Sequence, residues 1–266
     1  MKIMILGAKG FLGSHLTALK EIESIEKILP SRSFKEIKKT GRTLLLPFEK
    51  TWEIAIQEKP DAIVNLVGVL KESYKGEYET AHLKTAQEIA KYCLLNPSVR
   101  IVQISALGPQ SCEYAQYFKT KREAERIISQ ASQNAVILRP GIIFGEGQKV
   151  FSQIKDLSLL SPVIFCPKAK TAIISVEKTT QLISKAIFGE IKPGIYEAYE
   201  EISDLKTFFQ RSLTFMGLRR KTIALPKIFF LPIAMAGEFL PFLPLNLAQY
   251  KMLSCQALPT GAYPKL

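Results

Sequence analysis

The chain has little of what metal or disulfide chemistry requires. Two histidines, His15 and His82, and four cysteines, Cys93, Cys112, Cys166 and Cys255, are scattered over 266 residues with no short spacing. This pattern makes neither a zinc motif nor a disulfide framework, so it reads as four free thiols in a reducing cytosol and no metal. No internal repeat is present, and the 15 glycines and 15 prolines are spread along the chain, which excludes a low-complexity segment. Met1-Lys2 runs directly into Ile3-Met4-Ile5-Leu6 and a glycine, with no apolar stretch of signal-peptide length; the expectation is a cytoplasmic protein. The net charge of +12 invites a nucleic-acid reading, but residues 1–140 and 141–266 each carry +6, so the excess is diffuse. A nucleic-acid footprint is concentrated on one face or in a known module, so no nucleic-acid partner is expected. A mild attraction to an anionic membrane is compatible with the charge.

What the chain does have is alternation. Apolar strand-like runs at 2–6, 28–29, 43–46, 62–69, 99–104 and 136–139 alternate with helical periodicity from about Phe11, over 77–93 and over 117–129. Continuous apolar strands suit a parallel sheet covered on both faces, and the alternation predicts a doubly wound α/β fold. After Gly141 the pattern loosens: residues 179–187 and 205–216 read as helices and 194–199 as a strand. The expected organisation is a first domain at 1–140 and a smaller, partly interleaved region at 141–266 that faces a substrate, membrane or partner.

Three motifs carry chemistry. Gly7-Ala8-Lys9-Gly10-Phe11-Leu12-Gly13 is a G-x-x-G-x-x-G directly after the first strand and opening a helix. Glycines there permit a tight turn and close approach to a pyrophosphate, which meets the free N–H groups of the helix N-terminus. This predicts a Rossmann-type site for an adenine dinucleotide. The second strand ends in Pro30-Ser31-Arg32-Ser33, without the acid that accepts from an NAD ribose. Arg32 can clamp a 2′-phosphate, so the expected cofactor is NADP or NAD, with NADP preferred. Tyr117-Phe118-Lys119-Thr120-Lys121 places a phenol and an ammonium on one helix face. A lysine beside the phenol is expected to lower its pKa and make Tyr117 the acid/base for a carbonyl or carbinol.

With Val64-Asn65-Leu66-Val67-Gly68, Ile104-Ser105-Ala106-Leu107-Gly108 and Leu138-Arg139-Pro140-Gly141-Ile142-Ile143-Phe144-Gly145 in this order, the sequence resembles the extended and atypical short-chain dehydrogenase/reductases, the NAD(P)-dependent epimerase/dehydratase type. Val67 to Leu70, His82 and Ser105 to Gly108 resemble relatives of the nucleotide-binding accessory subunit of respiratory complex I. The resemblance implies that Gly7, Gly10 and Gly13 hold the pyrophosphate, with N–H groups from Phe11 and Leu12. It places Arg32 by the adenosine ribose, Asn65 and Gly68 along the groove, and Tyr117 and Lys121 at the nicotinamide. Pro140, Gly141 and Ile142 would pass beneath that ring. One position departs from the pattern: catalytic members carry Ser or Thr where this chain has Leu107, and Ser105 or Ser111 is left to bind the substrate oxygen. Two functions follow as expectations, an oxidoreductase acting on a carbonyl or hydroxyl substrate, and a non-catalytic dinucleotide-binding assembly protein associated with respiratory complex I or quinone metabolism.

Residues 228–247 are strongly apolar, but Pro232, Pro241 and Pro244 argue against a spanning helix. The segment reads either as a lid over the substrate cleft or as an element lying on the inner membrane face, with Arg219, Arg220, Lys221 and Lys227 toward anionic headgroups.

Overall fold

A computed structural model gives the fold; it describes every residue except Gln110, Ser111, Glu113, Pro241, Phe242 and Pro244, and the side chain of Lys149. The strands are β1 (Lys2–Leu6), β2 (Glu26–Ser31), β3 (Lys38–Thr40), β4 (Thr43–Pro47), β5 (Ala62–Asn65), β6 (Arg100–Ile104), β7 (Ala135–Pro140), β8 (Ile142–Phe144), β9 (Val163–Pro167), β10 (Lys170–Ser175), β11 (Gly194–Ala198), β12 (Glu201–Asp204) and β13 (Lys221–Leu225). The α-helices are α1 (Phe11–Thr17), α2 (Lys20–Glu23), α3 (Thr51–Glu58), α4 (Thr85–Leu95), α5 (Gln116–Ala131), α6 (Lys149–Leu160), α7 (Val176–Ile187), α8 (Leu205–Phe215), α9 (Leu231–Ala236) and α10 (Leu247–Cys255).

The main sheet has the order β11-β7-β6-β5-β1-β2-β4-β3 and is parallel except for the β3–β4 pair. The expected doubly wound parallel fold is therefore present. Its central strands are buried because their residues are apolar on both faces: Ile3, Ile5, Val64 and Val102 join one core, and Met4, Leu6, Ile63 and Ile101 the other. The strand order reverses at β1, between β2 and β5, and this opens the crevice in which such sheets bind ligands.

Beyond β7 the chain does two things. Helix α7 packs on α1, and β11 pairs with β7, so both complete the main sheet's layers. The edge of β11 is partly covered by the C-terminal tail, whose backbone at Lys265 makes a parallel β-bridge with Glu197. The other segments form two small sheets, β12-β10-β8 and β13-β9, with α6 and α8 around a core of Phe151, Ile154, Leu205 and Phe208. The strands at 142–144, 163–167, 170–175 and 221–225 gave no clear sequence signal, because they are short and owe their pairing to distant partners.

The cysteine expectation is corrected. Cys112 and Cys255 form a disulfide across 143 residues of sequence, with Cα atoms 5.8 Å apart. Helix α10 packs against α5 and brings Cys255 to the loop that leads into it. Spacing rules cannot see such a pair. Cys93 and Cys166 are free, and burial pushes each thiol up to about 11.

Candidate active site

The glycine loop is built as its spacing requires. Gly7 has φ +83°, and the Gly10 N–H closes the turn on Gly7 O at 2.9 Å. A Cβ on Gly13 would lie 2.4 Å from Gly7 O, so only glycine lets α1 approach β1 this closely. Gly10 is exposed and caps α1 without a side-chain hydrogen bond, leaving the first-turn N–H groups toward the groove. Gly7, Gly10, Phe11, Leu12 and Gly13 all line one large cavity, and Gly68, Ser105, Leu107, Tyr117, Lys121, Pro140, Gly141 and Ile142 line it too. The structure thus brings together two glycine-rich turns, the tyrosine helix and the end of β7 at the switch point of the sheet.

Tyr117 and Lys121 occupy the wall of this cavity on α5. The expected effect of the lysine on the phenol is not seen. Burial pushes the Tyr117 phenol up to about 12, opposed only by the Arg122 guanidinium. The Lys121 ammonium turns instead to Ile104 O at 3.1 Å, and burial pulls its pKa down to about 8. Lys121 is 5 % exposed, so desolvation outweighs the nearby Glu125 carboxylate. The unfolded chain would hold a proton on this lysine up to about pH 10.5. Between pH 8 and 10.5 the unfolded state therefore binds more protons than the folded one, and stability should rise with pH through this window. The difference in pKa corresponds to about 3 kcal/mol. Urea unfolding of the wild type and of Lys121→Met at pH 7.5, 8.5 and 9.5 checks it; a slope unchanged by the substitution would count against it.

Two residues sit elsewhere than expected. Asn65 does not reach the groove: it is buried beneath it, donating to Gln103 Oε1 at 2.7 Å and accepting from the Val67 N–H at 3.1 Å. It shapes the turn that carries Gly68, because a buried amide takes whatever partners satisfy it. Ser105 borders the cavity, but its hydroxyl donates to the buried Glu125 carboxylate, which also binds Arg122 and Arg139. The substrate-oxygen role expected of Ser105 is thus taken up by an internal charge network. Ser111 lies outside the described residues. Leu107 is 1 % exposed, and its N–H is spent on Pro140 O.

Two residues that the sequence analysis gave no role in the site also stand in it. Lys9, within the glycine loop, donates to Ser33 Oγ at 2.9 Å and lies over the Phe34 ring. It therefore stands with Ser31, exposed Arg32 and Ser33 at the end of β2, where the adenosine ribose belongs. The signal was a lysine at the second variable position of the motif. His82 is 2 % exposed and lies edge-on to Tyr117 at 5.6 Å and stacked on Tyr78 at 5.7 Å. The Thr120 hydroxyl gives its hydrogen to a main-chain carbonyl of α5, so His82 Nδ1–H donates to Thr120 Oγ1 at 2.8 Å. Its Nε2 is then a buried acceptor without a partner among the described residues, and both it and Lys121 Nζ lie beside Gly68. Burial, followed by the Lys121 charge, pulls its pKa down to about 2, so the imidazole is neutral.

The 3-2-1-4-5-6-7 order of the parallel strands, the glycine turn at the switch point and the tyrosine–lysine helix define a Rossmann-fold protein of the short-chain dehydrogenase/reductase type. Residues 3–164 match the model of the NAD dependent epimerase/dehydratase family, and the chain belongs to that family. It is 23 % identical over 159 residues to the mitochondrial NADH dehydrogenase [ubiquinone] 1 alpha subcomplex subunit 9 of Arabidopsis thaliana, covering 56 % of this chain and 40 % of the relative. The chain thus spans less than half the length of that relative. Among solved structures, a dTDP-4-dehydrorhamnose reductase of Clostridium acetobutylicum superposes with a TM-score of 0.69 at 16 % identity, covering 86 % of this chain and 85 % of the other. The UDP-glucose 4-epimerase of Thermus thermophilus, in complex with NAD, gives 0.67 at 15 % identity over 85 % of this chain and 86 % of the other. At these identities the structures share the fold. The family binds nicotinamide dinucleotides, and the open glycine turn of this chain fits the pyrophosphate of one.

Proposed function

We propose that this protein is an NAD(P)-dependent oxidoreductase acting on a carbonyl or hydroxyl substrate. The observation that carries the reading is the cavity shared by the glycine turn and Tyr117–Lys121. A bound nicotinamide dinucleotide supplies or accepts the hydride. Tyr117 would give its phenolic proton to the carbonyl oxygen as the carbon is reduced, and recover a proton from solvent. A phenol held near 12 favours the protonated form that reduction needs. Lys121 holds the ribose hydroxyls, and Ile142 and Pro140 support the ring.

Arg32 and Lys9, at the end of β2 where residues 30–33 include no acid, favour NADP over NAD. Calorimetric titration tests both points. Gly10→Val places a side chain where the pyrophosphate must approach, and affinity for either cofactor should fall at least tenfold, about 1.4 kcal/mol. Arg32→Ala should weaken NADP by about the same factor and leave NAD nearly unchanged. Unchanged affinity in a folded Gly10→Val protein overturns the binding site, and equal losses for both cofactors overturn the preference.

A second reading, a dinucleotide-binding assembly protein at a membrane, is favoured by the C-terminal segment. Among the described residues no helix is long and apolar enough to cross a membrane. Pro241 and Pro244 lie outside the described residues, and the rest divides into a 3-10 turn (Lys227–Phe230) and α9. The lid and surface alternatives are not exclusive. Phe230 and Leu245 line the cavity, while Ile228, Phe229, Met235 and Phe239 are exposed on the outside. Of the four basic residues, Arg220 and Lys227 are spent on the main-chain carbonyls of Ser158 and Leu253, which leaves Arg219 and Lys221 exposed. We propose peripheral contact of this face with an anionic inner-membrane surface, beside a respiratory or quinone-related complex. Co-sedimentation with anionic vesicles should be measurable at low salt, weaken as salt rises, and fall in Phe229→Ser/Phe239→Ser. A protein that stays in the supernatant with anionic vesicles at low salt would end this reading.

A further inference from the structure

We infer that the substrate half of the cavity takes an uncharged carbonyl compound with a long aliphatic or isoprenoid chain, and does not take a nucleotide-linked sugar. The inference rests on the oxidoreductase reading above and specifies its substrate class. The cavity continues without a break from Gly7, Gly10 and Tyr117 into the smaller region, with a volume of about 550 Å³. That is within the range of sites for small organic ligands. Past Ile142 its walls are Ile154, Leu157, Phe165, Phe208, Phe209 and Leu253, contributed by α6, β9, α8 and α10.

Charge decides the class. Among the described residues the only charged ones lining the cavity are Lys121 and Lys170. Lys121 is committed to Ile104 O and the cofactor side, and Lys170 is exposed at the rim. Among the described residues no arginine and no acid lines the cavity. The diphosphate of a nucleotide-linked sugar carries two negative charges into its site, and burying them without cations is prohibitively costly. Its sugar hydroxyls need a set of fixed polar partners, and a hydrocarbon chain needs none. The uncharged polar groups present, among them Gln153 and Thr171, suffice for one carbonyl or hydroxyl head. Phe165 lines the cavity and is also half-exposed, which puts an apolar lip at its mouth. A chain longer than the cavity can leave there over apolar surface.

The test is calorimetric titration of the full protein, with and without NADPH, using 2-octanone, 2-decanone and 2-dodecanone, and UDP-glucose as the charged alternative. Each methylene moved from water to a dry wall tightens binding by about fourfold, so affinity should climb roughly fifteenfold for each added pair. Leu157→Asp, on a half-buried position of the wall, should cost the ketones at least tenfold without changing NADPH affinity. Phe209→Arg provides a second wall variant should the first fail to fold. UDP-glucose should give no binding heat. Affinity flat with chain length, absence of ketone binding, or tighter binding of UDP-glucose overturns the inference. Absence of NADPH binding, with the chain-length trend intact, overturns the cofactor reading and leaves this one standing.

Discussion

Glu125→Ala should destabilise the protein by about 3–5 kcal/mol, the cost of removing one partner from a buried ion pair. Glu125 is 2 % exposed, and so is Arg139 at the end of β7. Its carboxylate accepts from Arg139 Nη2 at 2.5 Å and Nε at 3.0 Å, from Arg122 Nη1 at 2.6 Å, and from the Ser105 hydroxyl. Removing it leaves two guanidinium groups facing each other with little water to screen them. The Arg139 plane is held on its other side by the Tyr263 ring at 4.2 Å, so it cannot swing out to solvent without loosening the C-terminal tail. The melting temperature should fall by about 10 °C at this size. The double variant Glu125→Leu/Arg139→Met should recover part of the loss, because it removes the more deeply buried of the two stranded guanidinium groups; Arg122 keeps its bonds to the Ala106 and Gly108 carbonyls. Urea unfolding of the single and double variants gives the comparison, and a single-variant loss below 1 kcal/mol would refute the account. The network also reaches the site. Arg122 donates to the carbonyls of Ala106 and Gly108, which fixes the strand-to-helix loop above Tyr117. Cofactor affinity is expected to weaken along with stability.

Cys255→Ser, or reduction of the wild type, should cost about 3–5 kcal/mol. The bond closes 143 residues of chain, and long closed loops lose the most entropy from the unfolded state. Its packing is local to the site: Cys112 and Cys255 are buried with Ala115 and Phe118, against Tyr117 and Met252. Breaking it frees α10, which contributes Met252 and Leu253 to the cavity wall. Thermal unfolding with and without reductant checks the stability. Thiol titration of the unfolded, unreduced protein should count two thiols, Cys93 and Cys166, rising to four after reduction. Four thiols at the outset, with a melting curve insensitive to reductant, would exclude the bond.

How much of this was legible in the sequence depends on range. The β1–glycine–α1 turn is readable because twelve consecutive residues, 2–13, specify it: a strand, a positive φ at Gly7 and a steric demand at Gly13. Tyr117 and Lys121 are readable for the same reason, since one helical turn sets their shared face. The protonation states were not. A lysine four residues from a tyrosine suggests a lowered phenol, yet the surroundings of both side chains are dry, and desolvation moves the phenol up and the ammonium down. Likewise Asn65 and Ser105 carry the right chemistry in the right motif. Their partners, Gln103 and Glu125, come from other elements and absorb their hydrogen bonds.

The sequence by itself determined the parallel sheet, the dinucleotide turn and the tyrosine helix, because runs of apolar residues, glycines without a Cβ and a four-residue repeat act over short distances. Tertiary structure alone decided which side chains are spent and which are free. It joined Cys112 to Cys255, set Lys9 beside Arg32 and turned the inner face of the C-terminal segment into a cavity wall. It also left His82 Nε2, beside Lys121, unpaired among the described residues. Each of these rests on burial and on contacts between residues far apart in the chain, and burial sets the cost of a charge or an unmade hydrogen bond only once the neighbours are in place.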